Sequence, residues 1–275
     1  MSEAPPVEPV ALARWRDGVL EPIEYCSPDD ASSIRVADSF LVADGAALAI
    51  DLHRERFLAT AVAPDAVTTA VDPANPAGAE AFWDAAIGSI PRTGSWFPRL
   101  EQRTTDGATR LLLRTRPAPE LRSSIALLTH DGPDPRQHPL VKGPDLDALV
   151  RTRTLAQQTG ADDAVLLQDG AVVETTTAAL LWWRGEALCI PEPELARVDS
   201  VTVRSILALA TALGVDVLHE AVTPAELDGL EVWAVNALHG PRIVTRWLNG
   251  PGTAEQPGRL SLWRRRLAAL RRPLP

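Results

Sequence analysis

The second half of the chain alternates short apolar runs with turn sequences, and this pattern restricts the fold more than any other feature. DAVLLQDGAVVET (163–175) predicts a strand, a turn at QDG and a second strand, because Asp and Gly favour tight-turn backbone geometry. AALLWWRGEALCIP (178–191) predicts a further strand pair around RGE. LEVWAVNALHGPRIVTRW (230–247) predicts two more strands, separated by NALHG.

Helix patterns lie between and after these strand pairs. One covers about 145–158 and begins at GPD, which is typical of a helix N-terminus. DSVTVRSILALATALG (199–214) has Asp199 or Ser200 as its cap and ends near a glycine. GRLSLWRRRLAALRRPL (258–274) is amphipathic and basic, typical of a solvated helix face or a subunit contact. The second half is therefore expected to mix helices and strands.

The first half contains a similar mixture. VADSFLVADGAALAIDLHRERF (36–57) predicts a β-hairpin that turns at ADG, followed by a helix that Asp51 can cap. AGAEAFWDAAIGSI (77–90) has the three-to-four spacing of an amphipathic helix. TRLLLRTRP (109–117) and SSIALLTH (123–130) are typical of strands.

Two stretches lack such patterns. The first 30 residues are rich in proline and acidic, and we expect an irregular segment there. DGPDPRQHPLVKGP (131–144) is dense in Pro, Gly and Asp, as linkers between domains are. A chain of 275 residues is long enough for two domains. We expect an N-terminal domain over 1–120, a linker over 121–137 and a C-terminal domain over 138–275.

The composition argues against several classes of partner. A formal net charge of −9 disfavours general nucleic-acid binding and contact with an anionic membrane surface. No apolar run approaches the roughly 20 residues that span a bilayer, and the N-terminus lacks the features of a secretory signal. Cys26 and Cys189 lie far apart without a C-x-x-C motif, which predicts two free thiols in a cytoplasmic protein.

Lys142, in HPLVKGPDL (138–146), is the only lysine of the chain among 27 basic residues. GC-rich coding explains why lysine is rare but not why one remains at this position. A lysine amine can lose its proton and attack a carbonyl carbon, whereas a guanidinium in a protein cannot. Lys142 is therefore a candidate nucleophile, with a solvated surface lysine as the alternative.

Other candidates are single residues with complementary chemistry. Glu174 follows an apolar strand, Thr202 lies at a helix start where free amides can hold a phosphate, and Arg56 can pair with a phosphate. Each also has an ordinary interpretation. Glu174 could be an exposed carboxylate, Thr202 could lie at a helix start that binds nothing, and Arg56 could face solvent. Motifs for dinucleotides, nucleotide triphosphates, zinc hydrolysis and serine hydrolysis are absent from the sequence, and scattered histidines and cysteines predict no metal site.

The order of these residues resembles the class IV aminotransferase family, whose members are pyridoxal-phosphate (PLP) enzymes of fold type IV. In that family a lysine is followed about 30 residues later by a carboxylate, then by a helix start and then by a small-residue loop. HPLVKGPDLDALVRTRTLAQQTGADDAVLLQDGAVVETTTAALLWWRGEALCIP (138–191) is similar to the family's central block. The resemblance covers 138–248 well and 36–57 weakly.

The resemblance implies catalytic roles for two residues. Lys142 stands where the family's Schiff-base lysine stands, and its freed amine would act as the general base at the substrate α-carbon. Glu174 matches the acid that pairs with the pyridine nitrogen of PLP. A carboxylate there keeps the ring nitrogen protonated, so that the ring can accept electrons from the substrate.

Further positions match the family's phosphate contacts. Arg56, in HRERF, matches the arginine of the helix motif H-x-x-R-L. Thr202 and Val203 fall where the family stretch G-[IV]-T-R offers amides to the phosphate, with Arg204 at the closing arginine. Ala237, in NALHG, falls in the loop beside the phosphate and the substrate.

The resemblance places Phe40, Asn236 and His239 near the substrate. The sequence also departs from the family at several positions. The asparagine five residues after the acid is replaced by Ala179, and the tyrosine often found five residues after the lysine is replaced by Asp147. Of the family's first hairpin motif, VADSFLV retains only the phenylalanine.

The resemblance implies an α+β, two-domain fold type IV enzyme like D-amino-acid aminotransferase. It implies an N-terminal α/β domain, a barrel-like C-terminal domain that carries the PLP lysine, and the cofactor in the interdomain cleft. We expect a cytoplasmic homodimer that acts on a small-molecule amino substrate. The favoured activity is 4-amino-4-deoxychorismate lyase of folate biosynthesis, which forms 4-aminobenzoate and pyruvate. The alternatives are a branched-chain or D-amino-acid transaminase and a degenerate member that binds PLP without catalysis.

Overall fold

Short apolar strands joined by tight turns organise both parts of the chain. The computed structural model describes residues 11–23, 33–61, 76–105 and 108–275. The chain divides into two compact units, one comprising Met1–Glu120 and Arg271–Pro275 and the other Leu121–Leu270. None of the described helices is long and apolar enough to cross a membrane.

The first unit combines antiparallel strands with two helices. In chain order these are β1 (Ala11–Arg16), β2 (Val19–Ile23), β3 (Ser33–Ser39), β4 (Val42–Ala43), β5 (Ala46–Ala47), α1 (Ile50–Ala61), α2 (Pro76–Ser89), β6 (Ser95–Trp96), β7 (Arg99–Thr105) and β8 (Ala108–Thr115). The larger sheet has the strand order β2-β1-β8-β7-β3. The predicted hairpin is the pair β4–β5, which turns at Asp44 and Gly45, both with positive φ.

The buried face of α1 and the helix α2 form the core of the first unit. Ile50, His53, Phe57 and Ala61 recur at three- or four-residue spacing, which places them on one face of α1. The ring of Phe57 packs against that of Trp83 in α2, with centroids 5.7 Å apart. Aromatic packing of this kind ties the two helices together.

The second unit contains the alternating helices and strands that the sequence predicts. In chain order these are β9 (Ser124–Thr129), α3 (Leu146–Gln158), β10 (Asp163–Gln168), β11 (Ala171–Thr175), β12 (Ala179–Arg184), β13 (Ala187–Pro191), α4 (Val201–Ala212), β14 (Val217–Glu220), a 3₁₀ turn (Pro224–Leu227), β15 (Glu231–Asn236), β16 (Gly240–Leu248) and α5 (Arg259–Ala269).

The strands of the second unit close into a barrel. The sheet order is β11-β10-β9-β16-β15-β12-β13-β14, and an additional pairing of β11 with β12 closes the first six of these strands into a ring, from which β13 and β14 extend. The barrel core is apolar and includes Val165, Leu180, Trp182, Ala234 and Val244. Closure brings β11, which would be an edge strand in an open sheet, against β12.

A cluster of indole rings attaches the last helix of this unit to the barrel. Trp263 of α5 packs edge-on against Trp183 of β12 and Trp233 of β15, with centroids 5.5 Å and 6.0 Å away. The guanidinium of Arg259 lies 4.3 Å above the ring of Trp183. The predicted basic helix is therefore amphipathic, with its apolar face buried on the sheet.

The structure differs from the sequence-based expectations in several places. Part of the stretch expected as a linker over 121–137 is β9, the strand predicted for SSIALLTH, and its backbone pairs with β10 on one edge and β16 on the other. The final residues form β17 (Arg272–Pro273), which pairs with β5 and belongs to the first unit. Part of the expected irregular N-terminus is the β1–β2 hairpin, and the rest lies outside the described residues. Cys189 is a free, buried thiol, and Cys26 lies outside the described residues.

Candidate active site

Lys142 lies in the irregular segment between β9 and α3, and its side chain is exposed. Asp145 organises this segment, because its carboxylate accepts the backbone N–H groups of Gln137 and His138 at 3.0 Å and 2.8 Å. These two bonds fold the chain back on itself around Lys142. The proline-rich stretch is therefore a closed loop that holds the lysine in a defined place rather than an extended linker.

Glu174, near the end of β11, is the carboxylate that faces this loop. Its side chain is buried, with 8% of the residue exposed. Arg136 donates from Nη1 to Glu174 Oε1 at 2.5 Å and from the same nitrogen to the carbonyl of Ala196 at 3.0 Å. Asp134 binds the other side of the Arg136 guanidinium. Among the described residues, no hydrogen bond reaches the second oxygen of Glu174, Oε2.

Burial raises the pKa of Glu174 to about 7, because it disfavours the charged carboxylate. The positive charges of Arg136, Lys142 and Arg197 act in the opposite direction. The charge of Lys142 therefore acts on this carboxylate, so the two sequence-predicted catalytic residues lie within electrostatic range of each other. The carboxylate can thus exchange a proton near neutral pH and offers one oxygen to a further donor.

This raised pKa makes the stability of the cofactor-free protein depend on pH. The pKa of Glu174 is higher in the folded state than its usual 4.5, so its stabilising contribution is present below pH 4.5 and is lost as the pH rises through 7. Relative to Glu174→Gln, we expect the wild-type free energy of unfolding to fall by about 3 kcal/mol between pH 4.5 and 8. Urea titrations of both proteins across this range measure the difference; parallel pH profiles would contradict it.

The N-terminus of α4 lies at the sequence-predicted phosphate position. Ser200 caps the helix, and its Oγ accepts the backbone N–H of Val203 at 3.3 Å. Thr202 is buried, whereas Val203 is half-buried. Arg204, the matched closing arginine, pairs with Asp199 at 3.4 Å. A phosphate at this helix start would meet the positive end of the helix dipole and would compete with Ser200 for the Val203 amide.

The turn between β15 and β16 carries the predicted residues Asn236, Ala237 and His239, all half-buried. Asn236 Oδ1 accepts the N–H groups of Leu238 and His239 at 3.2 Å and 2.9 Å. Its Nδ2 donates to the carbonyl of Thr177 at 3.2 Å. The Asn236 side chain therefore shapes the turn and connects it to the turn that follows Glu174.

Arg56 and Phe40 belong to the first unit. Arg56 donates to both oxygens of the buried Asp38, at 2.8 Å from Nε and 2.9 Å from Nη2. His53 shares the same carboxylate, with its Nδ1 2.7 Å from Oδ1. Phe40 is buried and packs against the rings of His53 and Trp83. These contacts give Phe40 a packing position and Arg56 an ion pair, so the substrate and phosphate roles inferred for them stay predictions.

Two residues of the second unit escaped the sequence analysis. Arg136 contacts a carboxylate 38 positions away, and in a chain with so many arginines nothing marks it. Asp163 is 1% exposed and accepts hydrogen bonds from the hydroxyls of Thr175, Thr176 and Thr177. The run of three threonines directly after Glu174 was the available signal, because adjacent hydroxyls in a buried turn need an acceptor.

Comparison with known families is decisive for the class of protein. The family model described as amino-transferase class IV matches residues 35–247. The chain belongs to the class IV aminotransferase family. The predicted family and α+β fold type IV class are therefore confirmed, as are the PLP-dependent enzyme class and PLP as its cofactor. No curated protein sequence matches this chain.

Solved structures with the same fold include other class IV aminotransferases. A branched-chain aminotransferase from Thermoproteus uzoniensis with norvaline is 16% identical, covers 96% of this chain and 100% of its own, and has a TM-score of 0.78. A PLP-bound hypothetical aminotransferase from Mycobacterium tuberculosis is 17% identical, covers 95% of this chain and 98% of its own, and has a TM-score of 0.77. A putative 4-amino-4-deoxychorismate lyase from Legionella pneumophila is 16% identical, covers 89% of this chain and 96% of its own, and has a TM-score of 0.71.

The residues of this class IV aminotransferase suit PLP in their chemistry. Glu174 leaves Oε2 open to a ring N–H, and Lys142 supplies the only amine side chain of the chain. The start of α4 offers the amide dipoles that a phosphate requires. A buried, half-satisfied carboxylate beside the lysine is the observation that carries this fit.

Proposed function

We propose that this chain is a PLP-dependent enzyme in which Lys142 removes and returns the α-proton of an amino substrate. The proposal is supported by the burial of Glu174 and by the electrostatic effect of Lys142 on its pKa. The loop closed by Asp145 limits the positions that Lys142 can take. A base restricted in this way loses little conformational freedom when it reaches the substrate.

PLP, when bound, draws electrons from the substrate α-carbon into its ring and so makes the α-proton acidic. Lys142 would hold the cofactor and would then move a proton at the α-carbon. Glu174 would accept a hydrogen bond from the ring nitrogen on Oε2. At neutral pH its raised pKa lets the carboxylate and that nitrogen share a proton at little cost.

Arg136 would act as a positioning residue for Glu174. It donates to Oε1 and to the Ala196 carbonyl, and Asp134 neutralises the far side of its guanidinium. This arrangement leaves the carboxylate only one open oxygen and fixes its direction. The amides at the start of α4 and the turn at Ala237 would hold the phosphate.

Among the reactions open to this site we favour 4-amino-4-deoxychorismate lyase, which releases 4-aminobenzoate and pyruvate. The NALHG turn resembles the loop of lyase-type family members, and Asp147 replaces the tyrosine often found in aminotransferases. The fold is also that of the putative lyase from Legionella pneumophila.

Transamination of an amino acid is the second candidate. Proton transfer by Lys142 at the α-carbon would also serve this reaction, in which PLP would carry the amino group to a second keto acid and the first substrate would leave as a keto acid. The fold similarity to the Thermoproteus uzoniensis branched-chain aminotransferase, with a TM-score of 0.78, favours this candidate.

Product analysis with the PLP-loaded protein tests the proposal. Supplied with 4-amino-4-deoxychorismate, the wild-type protein is expected to release 4-aminobenzoate and pyruvate in equal amounts, and Lys142→Arg neither. Release of neither product, together with amino-group transfer from glutamate, alanine or a branched-chain donor to a keto acid, would replace the lyase by the transaminase. A protein that takes up no PLP would overturn both.

A further inference from the structure

The β13–α4 loop (192–200) folds around the guanidinium of Arg197. Its Nη1 donates to the carbonyls of Glu192 and Leu195, at 2.6 Å and 2.8 Å. Its Nη2 donates to the carbonyl of Pro191, the last residue of β13, at 2.8 Å. A guanidinium holds its donors in one plane, so it can bind several carbonyls at the same time. Arg197 therefore clamps residues 191–197 into a closed turn.

The neighbouring residue, Ala196, connects this loop to the acid of the site. Its backbone N–H donates to Oε1 of Gln168, the last residue of β10, at 3.1 Å. Its carbonyl accepts from Arg136 Nη1 at 3.0 Å, and the same nitrogen donates to Glu174 Oε1. Hydrogen bonds therefore run from the loop through Arg136 to the carboxylate.

The other end of the loop reaches α4. The loop ends at Ser200, which caps the helix, and Arg197 lies three residues before this cap. The clamp therefore also limits where the helix can begin. All of these residues belong to the second unit. One loop thus joins the Glu174 carboxylate to the helix start that is assigned to the phosphate above.

Arg197 also acts on Glu174 through its charge. Burial raises the pKa of Glu174 and lowers that of Arg197, because it disfavours the charged form of both groups. Each group opposes this effect of burial on the other, since their opposite charges attract. Asp199 attracts Arg197 as well, but Asp199 is exposed, so water weakens its effect.

The other positive charges near Glu174 are less available to it. Arg136 is paired with Asp134 at 2.7 Å, which neutralises much of its charge. Lys142 must give up its charge before its nitrogen can act as a nucleophile or a base. Among the described residues, Arg197 hydrogen-bonds to carbonyls and to no carboxylate. Its charge is therefore the one that continues to act on Glu174 while Lys142 reacts.

We propose that Arg197 is a positioning residue of the cofactor site, which holds the β13–α4 loop against Arg136 and keeps Glu174 in its carboxylate form. The inference rests on the proposed function, because it takes Glu174 as the partner of the PLP ring nitrogen. Arg197 is assigned no contact with the cofactor or the substrate. It acts through the shape of the loop and through its charge.

Pyridoxine 5′-phosphate with a ¹⁵N-labelled ring tests the role of the charge, because it has no aldehyde and cannot bond to a lysine. With the full-length protein saturated, its ¹⁵N resonance reports whether the ring nitrogen carries a proton. The pH midpoint of this signal marks the loss of the proton that Glu174 and the ring nitrogen share. Loss of a nearby positive charge favours retention of that proton. We therefore expect Arg197→Gln to raise the midpoint by at least about 0.5 unit.

Arg197→Lys separates the charge from the clamp. It keeps the positive charge but offers the carbonyls a compact ammonium in place of a planar fork. We expect it to leave the midpoint unchanged and to weaken binding of the probe about threefold, measured by calorimetry. Arg151→Gln removes an exposed arginine of α3 and should change neither quantity.

Gln168→Leu tests the loop without altering any charge. It removes the acceptor of the Ala196 N–H, so we expect binding of the probe to weaken about threefold at an unchanged midpoint. If urea denaturation shows that Arg197→Gln does not fold, the affinities of Arg197→Lys and Gln168→Leu decide the proposal.

The outcomes separate this proposal from the function on which it rests. Equal midpoints of the wild-type protein and a folded Arg197→Gln would overturn the proposal. Wild-type affinity for the probe in both Arg197→Lys and Gln168→Leu would also overturn it. A wild-type protein that does not bind the probe would instead overturn the proposed function.

Discussion

Replacing Lys142 with arginine is expected to lower turnover at least about 10³-fold, because the variant keeps the positive charge and loses the only amine side chain of the chain, and a guanidinium cannot act as a base. The exposed position of Lys142 makes a large loss of stability unexpected. Borohydride reduction of the PLP-loaded wild-type protein, followed by peptide mass spectrometry, should place the cofactor on Lys142. The variant should carry no reduced cofactor.

Arg151→Lys is the matched control for this substitution. It adds a second lysine on the exposed surface of α3 without disturbing the loop around Lys142. Turnover should stay at the wild-type level, and the double variant Lys142→Arg with Arg151→Lys should remain inactive although it again contains one lysine. Restored activity in the double variant would show that any surface amine suffices, against the role assigned to this position.

Replacing Asp163 with alanine is expected to lower the free energy of unfolding by about 3–5 kcal/mol. Asp163 accepts the N–H of Ala164 at 2.8 Å and the hydroxyls of Thr175 and Thr177 at 2.8 Å and 2.5 Å, besides that of Thr176. Alanine would leave the N–H of Ala164 and the buried hydroxyl of Thr176 without this acceptor, whereas Thr175 keeps the carbonyl of Ala178 and the exposed Thr177 can bond to water. It would also remove the negative charge that stabilises the buried, positively charged guanidinium of Arg242.

Urea denaturation of Asp163→Ala measures this loss directly. Asp216→Ala is the comparison, because Asp216 is exposed and its removal should change the free energy of unfolding by less than about 0.5 kcal/mol. A loss below about 1 kcal/mol in Asp163→Ala would mean that water takes over as acceptor for the threonine hydroxyls.

Much of the second unit follows from sequence because its signals are local. Asp169 and Gly170 have the positive φ that the QDG turn requires, and the strands on either side pair as β10 and β11. The helices α3 and α4 begin within two residues of their expected starts. Such signals depend on neighbours along the chain, which a sequence displays directly.

Other features depend on contacts between distant residues and were not accessible in this way. SSIALLTH predicts a strand, but nothing local shows that β9 pairs with β10 and with β16, about 120 positions away. The contact of Arg136 with Glu174 and the burial of Arg242 likewise arise only when the barrel closes. Lys142 and Glu174 were identified through the family resemblance, since neither carries a distinctive signal alone.

Closure of the barrel determines the environment of the Glu174 carboxylate. The pairing of β11 with β12 runs through a single register position, Glu174 opposite Ala179, so the acid lies at the seam of the ring. Its burial and its contact with Arg136 exist only once that seam has formed. The raised pKa of the carboxylate is thus a property of the closed ring and not of β11 alone.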